Sequence, residues 1–178
     1  MPIAEIRKPL AQQIAAEHGR LVRKLILVGT APRGGEEHLL TVLQDAFSQT
    51  DAPDPRLQLF FTKSSASQSA GLAFLKRAKV RKEDRDTDNG SAVTDPQAKA
   101  LITWCATPDP DNAILRAIRQ PTLVVSGSHD TMLPADNAYA MFRVLSNAQL
   151  VLYPDSGHGA LFQHHELFVG HVRAFLQA

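Results

Sequence analysis

A chain of 178 residues is the size of one ordinary domain and is long enough to bury a real core. Its 44% hydrophobic and 21% charged residues suit a globular protein, and no apolar run approaches the roughly 18 residues of a membrane span. A formal charge of +1 gives no electrostatic reason to expect nucleic acid or an anionic membrane as partner, so neither is expected.

The opening MPIAEIRKPLAQ lacks the apolar core of a signal peptide, and the single Cys105 cannot form an internal disulfide, so a cytoplasmic protein is expected. Residues 9–18 read as a helix, with Pro9 near its first turn and Gly19 after its end. Leu10, Ile14 and Leu21 supply its expected buried face. Residues 24–29, KLILVG, form a continuous apolar strand that leads into a flexible loop, TAPRGG.

From residue 36 the pattern turns helical. Leu39, Leu40, Leu43, Ala46 and Phe47 fall on one helical face; Leu57, Leu59, Phe60 and Phe61 make a short apolar patch; Ala70, Phe74 and Leu75 lie on a third segment. Acidic residues follow the basic run 76–82 at once, so that run reads as a solvated helix end before a turn-rich loop. Asp95 and Pro96 are expected to start a helix that runs through Trp104, and residues 108–111 interrupt it before 113–118. Trp104, Phe60 and Phe61 either line a pocket or pack in the core. Cys105 reads as a small buried hydrophobe.

Residues 120–163 carry the chemistry. Residues 122–125 are rich in β-branched side chains and close on Ser126 and Gly127, the pattern of a buried parallel strand. Asp130 lies just past that strand's C-terminal end. Asp136 and Asn137 are candidate N-caps for a helix over 138–145, and residues 149–153 form the next strand. His158 follows between Gly157 and Gly159. The runs 24–29, 122–127 and 149–153 are therefore expected to build a three-stranded parallel sheet, with the intervening segments as crossovers.

Open α/β sheets present reactive groups on the loops beyond the carboxyl ends of their strands. An acid and a histidine on neighbouring loops can meet, the acid orienting the imidazole so that its other nitrogen takes a proton. The plainer alternative is that Asp130 caps a turn and His158 lies on the surface. Ser126, Ser128 and Ser156 read as turn residues, since none sits on a glycine-bounded elbow. His129, His164 and His165 lack metal-ligand spacing, so neither a metal nor a cofactor is expected.

Two stretches, GSHDTMLP and YPDSGHGALFQHHELFVGHVRAFL, resemble the acid loop and the histidine loop with final helix of α/β hydrolases, in the group of small esterase, lactonase-like and haloperoxidase-like members. The likeness is good over 22–30 and 120–178 and looser between. It implies that Asp130 and His158 are the catalytic acid and base, that strand 24–29 is the sixth of eight, and that helix 9–18 follows the nucleophile elbow. It also implies that 1–35 and 113–178 form the C-terminal part of the core, with 36–112 a helical cap-like insertion.

Laid against a family pattern G-x-S-x-G-G-x-x-A-Q-Q, residues 3–13 keep the end and lose the beginning. Glu5 stands where the serine belongs, and Ile3, Arg7 and Lys8 replace the glycines the strained turn requires. The resemblance thus implies an incomplete α/β hydrolase fold, with about three parallel strands, flanking helices and a cap, but without five upstream strands and one oxyanion-hole loop. Such a chain would act on a carboxylic ester or lactone only when completed by an N-terminal half. The alternative is a non-catalytic interaction module that uses the cap or the exposed sheet edge. Strand 24–29 has nothing upstream to pair with, so self-association through it is expected.

Overall fold

The computed structural model describes residues 7–35, 39–48, 54–84 and 90–178. Ile3, Glu5 and the other elbow positions before Arg7 lie outside them, as do residues 85–89 of the turn-rich loop and the side chains of Leu40 and Phe47.

Three strands, β1 (Leu25–Val28), β2 (Thr122–Gly127) and β3 (Ala148–Tyr153), form a parallel sheet in the order β1-β2-β3. Leu25 pairs with Thr122, and Thr122 with Ala148. The register therefore leaves the C-terminal ends of all three strands side by side. β2 is buried at all six positions, as a central strand covered on both faces must be.

Alternation along the strands sorts the side chains between two layers. Leu25, Leu27 and Val124 pack against Ala15 of helix α1 (Arg7–Glu17), Leu115 of α6 (Ala113–Ala117) and Met141 of α7 (Ala135–Val144). Leu123 and Val125 face the other way, toward Ala160 of α8 (Ala160–Gln163) and Phe175 of α9 (His165–Gln177). Helices α2 (Leu39–Ser48), α3 (Pro55–Phe60), α4 (Ser65–Ala78) and α5 (Ser91–Ala106) lie between β1 and α6 in the chain. They build a separate apolar cluster from Leu39, Ala46, Leu57, Leu59, Phe60, Phe61 and Leu101, which takes in Met132 and Leu133 of the loop after β2. Among the described residues no helix is long and apolar enough to cross a membrane.

Three local expectations are corrected. The buried face of α1 is not Leu10, Ile14 and Leu21, which are 53%, 36% and 81% exposed; it is Gln12 and Ala15, with Ala11 and Ala16 packed beside them. Small side chains let the helix approach the sheet closely, and Gln12 is drawn inward because its Nε2 donates to the Ala31 carbonyl at 3.0 Å. α5 begins at Ser91, so Pro96 lies inside the helix and not at its start. The lost N–H bond is tolerated on a turn whose Asp95 and Pro96 are exposed. α7 begins at Ala135 with Pro134 at the N-cap and no side-chain cap bond, so Asp136 and Asn137 are not caps. Asp136 sits instead in the first turn, where its charge complements the helix dipole.

Candidate functional site

The loops after β2 and β3 are laced together by their backbones. Ser128 N donates to the Tyr153 carbonyl and His129 N to the Ser156 carbonyl, both at 2.9 Å. They pass so closely at the end of β2 that a Cβ on Gly127 would collide with the carbonyl oxygens of Ser156 and Gly157. This contact brings Asp130 to His158.

The Asp130 carboxylate uses its two oxygens differently. Oδ1 accepts from the backbone N–H groups of Met132 and Leu133, each at 2.9 Å, while Oδ2 lies 2.8 Å from His158 Nδ1. Asp130 is thus a turn cap and a histidine partner at once. His158 is not a surface residue: its side chain is 3% exposed and that of Asp130 is fully buried. An ionised carboxylate can only accept, so the pairing places the Nδ1 proton between the two groups and makes Nε2 the basic nitrogen of the neutral ring.

Further residues support the histidine from behind. Gly29, just past β1, has φ of +49°, and a Cβ there would stand 3.0 Å from His158 Cε1 and 3.5 Å from Asp130 Oδ2. On the other side, His158 N and Gly159 N donate to the Leu59 and Phe60 carbonyls at 3.3 and 2.9 Å, and the Phe60 ring lies 5.8 Å from the imidazole. Asp155 pins the same loop: its carboxylate accepts from Thr62 Oγ1 and Ser64 Oγ, each at 2.5 Å, and its carbonyl accepts from Gln163 Nε2 at 2.7 Å. The bonds from Ser64 and then Thr62 hold the Asp155 carboxyl below the ordinary carboxylate range.

A family model described as alpha/beta hydrolase fold matches residues 9–165. The chain belongs to the α/β hydrolase fold family. Its relatives include the pimeloyl-[acyl-carrier protein] methyl ester esterase of Nitrosomonas europaea, 27% identical in an alignment of 172 residues that covers 90% of this chain and 64% of that one. The 2-hydroxymuconate semialdehyde hydrolase of Pseudomonas putida is 27% identical over 170 residues, 94% of this chain and 58% of that one. Among solved structures, an alpha/beta hydrolase fold protein from Chitinophaga pinensis superimposes with a TM-score of 0.83 at 34% identity, covering 94% of this chain and 60% of that one. A thermophilic esterase from Thermogutta terrifontis shares the fold, with a TM-score of 0.63 at 19% identity over 96% of this chain and 61% of its own. The chain thus spans about three fifths of the length of these relatives.

Within this α/β hydrolase fold the remaining reactive side chains have structural partners. Ser126 Oγ donates to the Gly127 carbonyl, Ser156 Oγ to the Tyr153 carbonyl, and Ser128 Oγ lies 2.8 Å from His129 Nδ1. His164 Nε2 lies 3.0 Å from the Pro154 carbonyl oxygen, and its ring stacks on Tyr153. Cys105 is half-buried against the cluster of α2–α5, in which Phe60 and Phe61 are core residues, and Trp104 is buried. Among the described residues no group of three His, Cys, Asp or Glu side chains could hold a metal ion.

Sequence reasoning did not single out Gly29 or the set Thr62, Ser64, Asp155 and Gln163. A signal for Gly29 existed, because a glycine that ends a strand parallel to β2 must lie beside the acid loop. No comparable signal marked Asp155, whose partners come from a helix start 91 and 93 residues away.

Proposed function

We propose that this chain supplies the acid and base of a hydrolase acting on carboxylic esters or lactones, and that it is inactive alone. The observation that carries the reading is the buried 2.8 Å contact between His158 Nδ1 and an Asp130 carboxylate already fixed by two backbone N–H groups. In such a pair the carboxylate holds the imidazole in one tautomer and stabilises the imidazolium. Nε2 takes the proton of an attacking hydroxyl and returns it to the leaving alcohol. The ester class is supported by the name of the Nitrosomonas relative, a methyl ester esterase.

The nucleophile is assigned to another segment because Glu5 occupies the position the family pattern gives to serine. Residues 36–112 are proposed as the cap and 1–35 with 113–178 as core, a division supported by the separate apolar cluster of α2–α5. A cytoplasmic setting goes with this reading. The second reading, a non-catalytic interaction module, is favoured by the exposed Leu10, Ile14 and Leu21 beside β1.

Hydrolysis of short p-nitrophenyl esters tests the proposal. The purified chain should show only the buffer rate, since loss of the nucleophile from a serine hydrolase costs on the order of 10⁶-fold. Addition of a segment bearing a G-x-S-x-G elbow should restore turnover that His158→Ala or Asp130→Asn removes. Turnover by the chain alone that disappears in His158→Ala would disprove the inactivity, and restored turnover indifferent to His158→Ala would disprove the acid–base assignment. Binding of such a segment without turnover would favour the interaction module.

A further inference from the structure

Asp155 is held at its side chain and at its backbone by one closed ring of hydrogen bonds. Thr62 and Ser64, on the turn between α3 and α4, donate their hydroxyls to its Oδ1 and Oδ2, each at 2.5 Å. Ser67, fully buried, accepts from the Thr62 backbone N–H at 2.9 Å and donates to Gln163 Oε1 at 2.7 Å. Gln163 Nε2 closes the ring on the Asp155 carbonyl at 2.7 Å. The Ser64 oxygen also accepts from Ser67 N at 3.0 Å and caps α4, so the ring is anchored to a helix of 14 residues.

The backbone that this ring holds is a strained one. Asp155 has φ of +44°, the left-handed region in which a Cβ crowds the following carbonyl, and such a conformation persists only where its surroundings fix it. The turn it makes delivers the histidine. One residue on, the Ser156 carbonyl accepts from His129 N, and three residues on, His158 Nδ1 stands 2.8 Å from Asp130 Oδ2. Relaxation of Asp155 to negative φ would swing residues 156–158 off the acid loop. The bond from His158 N to the Leu59 carbonyl, at 3.3 Å, is too long to be a strong restraint by itself.

We propose that Asp155 is a positioning residue for His158, and that Thr62 and Ser64 set, through it, where the imidazole stands against Asp130. Its functional meaning rests on the acid–base reading, but the ring itself is measured in the full chain, so a His158 with no part in turnover would leave the outcome unchanged.

Asp155→Gly keeps the turn accessible, since glycine enters positive φ freely, and removes the carboxylate. In ¹⁵N NMR of the folded chain the His158 Nδ1 proton should exchange with water about tenfold faster or more, the ratio that goes with loss of one charge-assisted hydrogen bond. The ring nitrogens should move from one tautomer toward a mixture. A role in stability alone would not do this, so the backbone amides of β2 should accelerate by no more than the fall in urea-measured stability accounts for. Asp155→Asn, which tolerates the same backbone and keeps an acceptor oxygen, should recover part of the protection. Thr62→Val, nearly isosteric and with the Ser64 cap intact, should move the ring in the same direction as Asp155→Gly, and it carries the readout if the glycine variant does not fold. An Nδ1 proton unaffected by Asp155→Gly, acceleration matched by the β2 amides, asparagine no better than glycine, or a silent Thr62→Val would each overturn the proposal.

Discussion

Gly29→Ala probes how tightly the end of β1 holds the acid–histidine pair. Two effects act together. The backbone at Gly29 lies at φ +49°, where a side chain costs roughly 1–2 kcal/mol because Cβ crowds the following carbonyl. The new methyl would also stand 3.0 Å from His158 Cε1 and 3.2 Å from Nδ1, closer than ordinary van der Waals contact, so the ring must retreat by a few tenths of an ångström. The 2.8 Å contact to Asp130 Oδ2 would lengthen accordingly, and a weakened buried hydrogen bond adds up to about 1 kcal/mol. A loss of about 1–3 kcal/mol is therefore expected, read as a lower urea midpoint with unchanged slope. The low-field Nδ1 proton resonance of His158 should shift in the same variant. Unchanged stability would refute the strain argument; lost stability with an unmoved resonance would refute the contact with His158.

Gly170 is the counterpart, since it lies inside α9 where a methyl would meet nothing within 4 Å, so Gly170→Ala should raise stability by about 0.5–1 kcal/mol in the same denaturation assay, and a loss would show that the helix needs its glycine. The Ser64 and Thr62 bonds keep the folded-state carboxyl of Asp155 below its ordinary value of 3.8, so their stabilisation is fully present above that value and fades as pH falls through the lower folded-state value. Acid unfolding of the parent and of Asp155→Asn should accordingly differ above pH 3.8 and converge below it, and a gap undiminished at the lowest pH would contradict the account. Among the described residues β1 pairs only with β2, so sedimentation equilibrium is expected to show self-association that grows with concentration, and a chain that stays monomeric throughout would count against an open edge.

The strands were legible in the sequence because each is a short apolar run bounded by Gly, Pro or polar residues. The runs read as 24–29, 122–127 and 149–153 match β2 at both ends and β3 at its C-terminal end, and differ by one residue at the start of β3 and at each end of β1. Asp130 and His158 were legible for a related reason: parallel strands end on one side, so residues just past two neighbouring strands share a site. The buried face of α1 was not legible. Periodicity marks Leu10 and Ile14 as the apolar stripe, yet the sheet takes Ala15 and Gln12, because close approach favours small side chains and the Ala31 carbonyl offers Gln12 a partner.

Tertiary structure alone decided what surrounds the pair. Gly29 reaches His158 only because β1 lies parallel to β2 in a register that sets their ends together. Asp155 meets Thr62 and Ser64 only because the start of α4 folds over the histidine loop. A sequence pattern reports the period of its own element, and these contacts belong to none. They depend on where the chain returns after a long excursion, which is set by the packing of whole layers and not by any local run of residues.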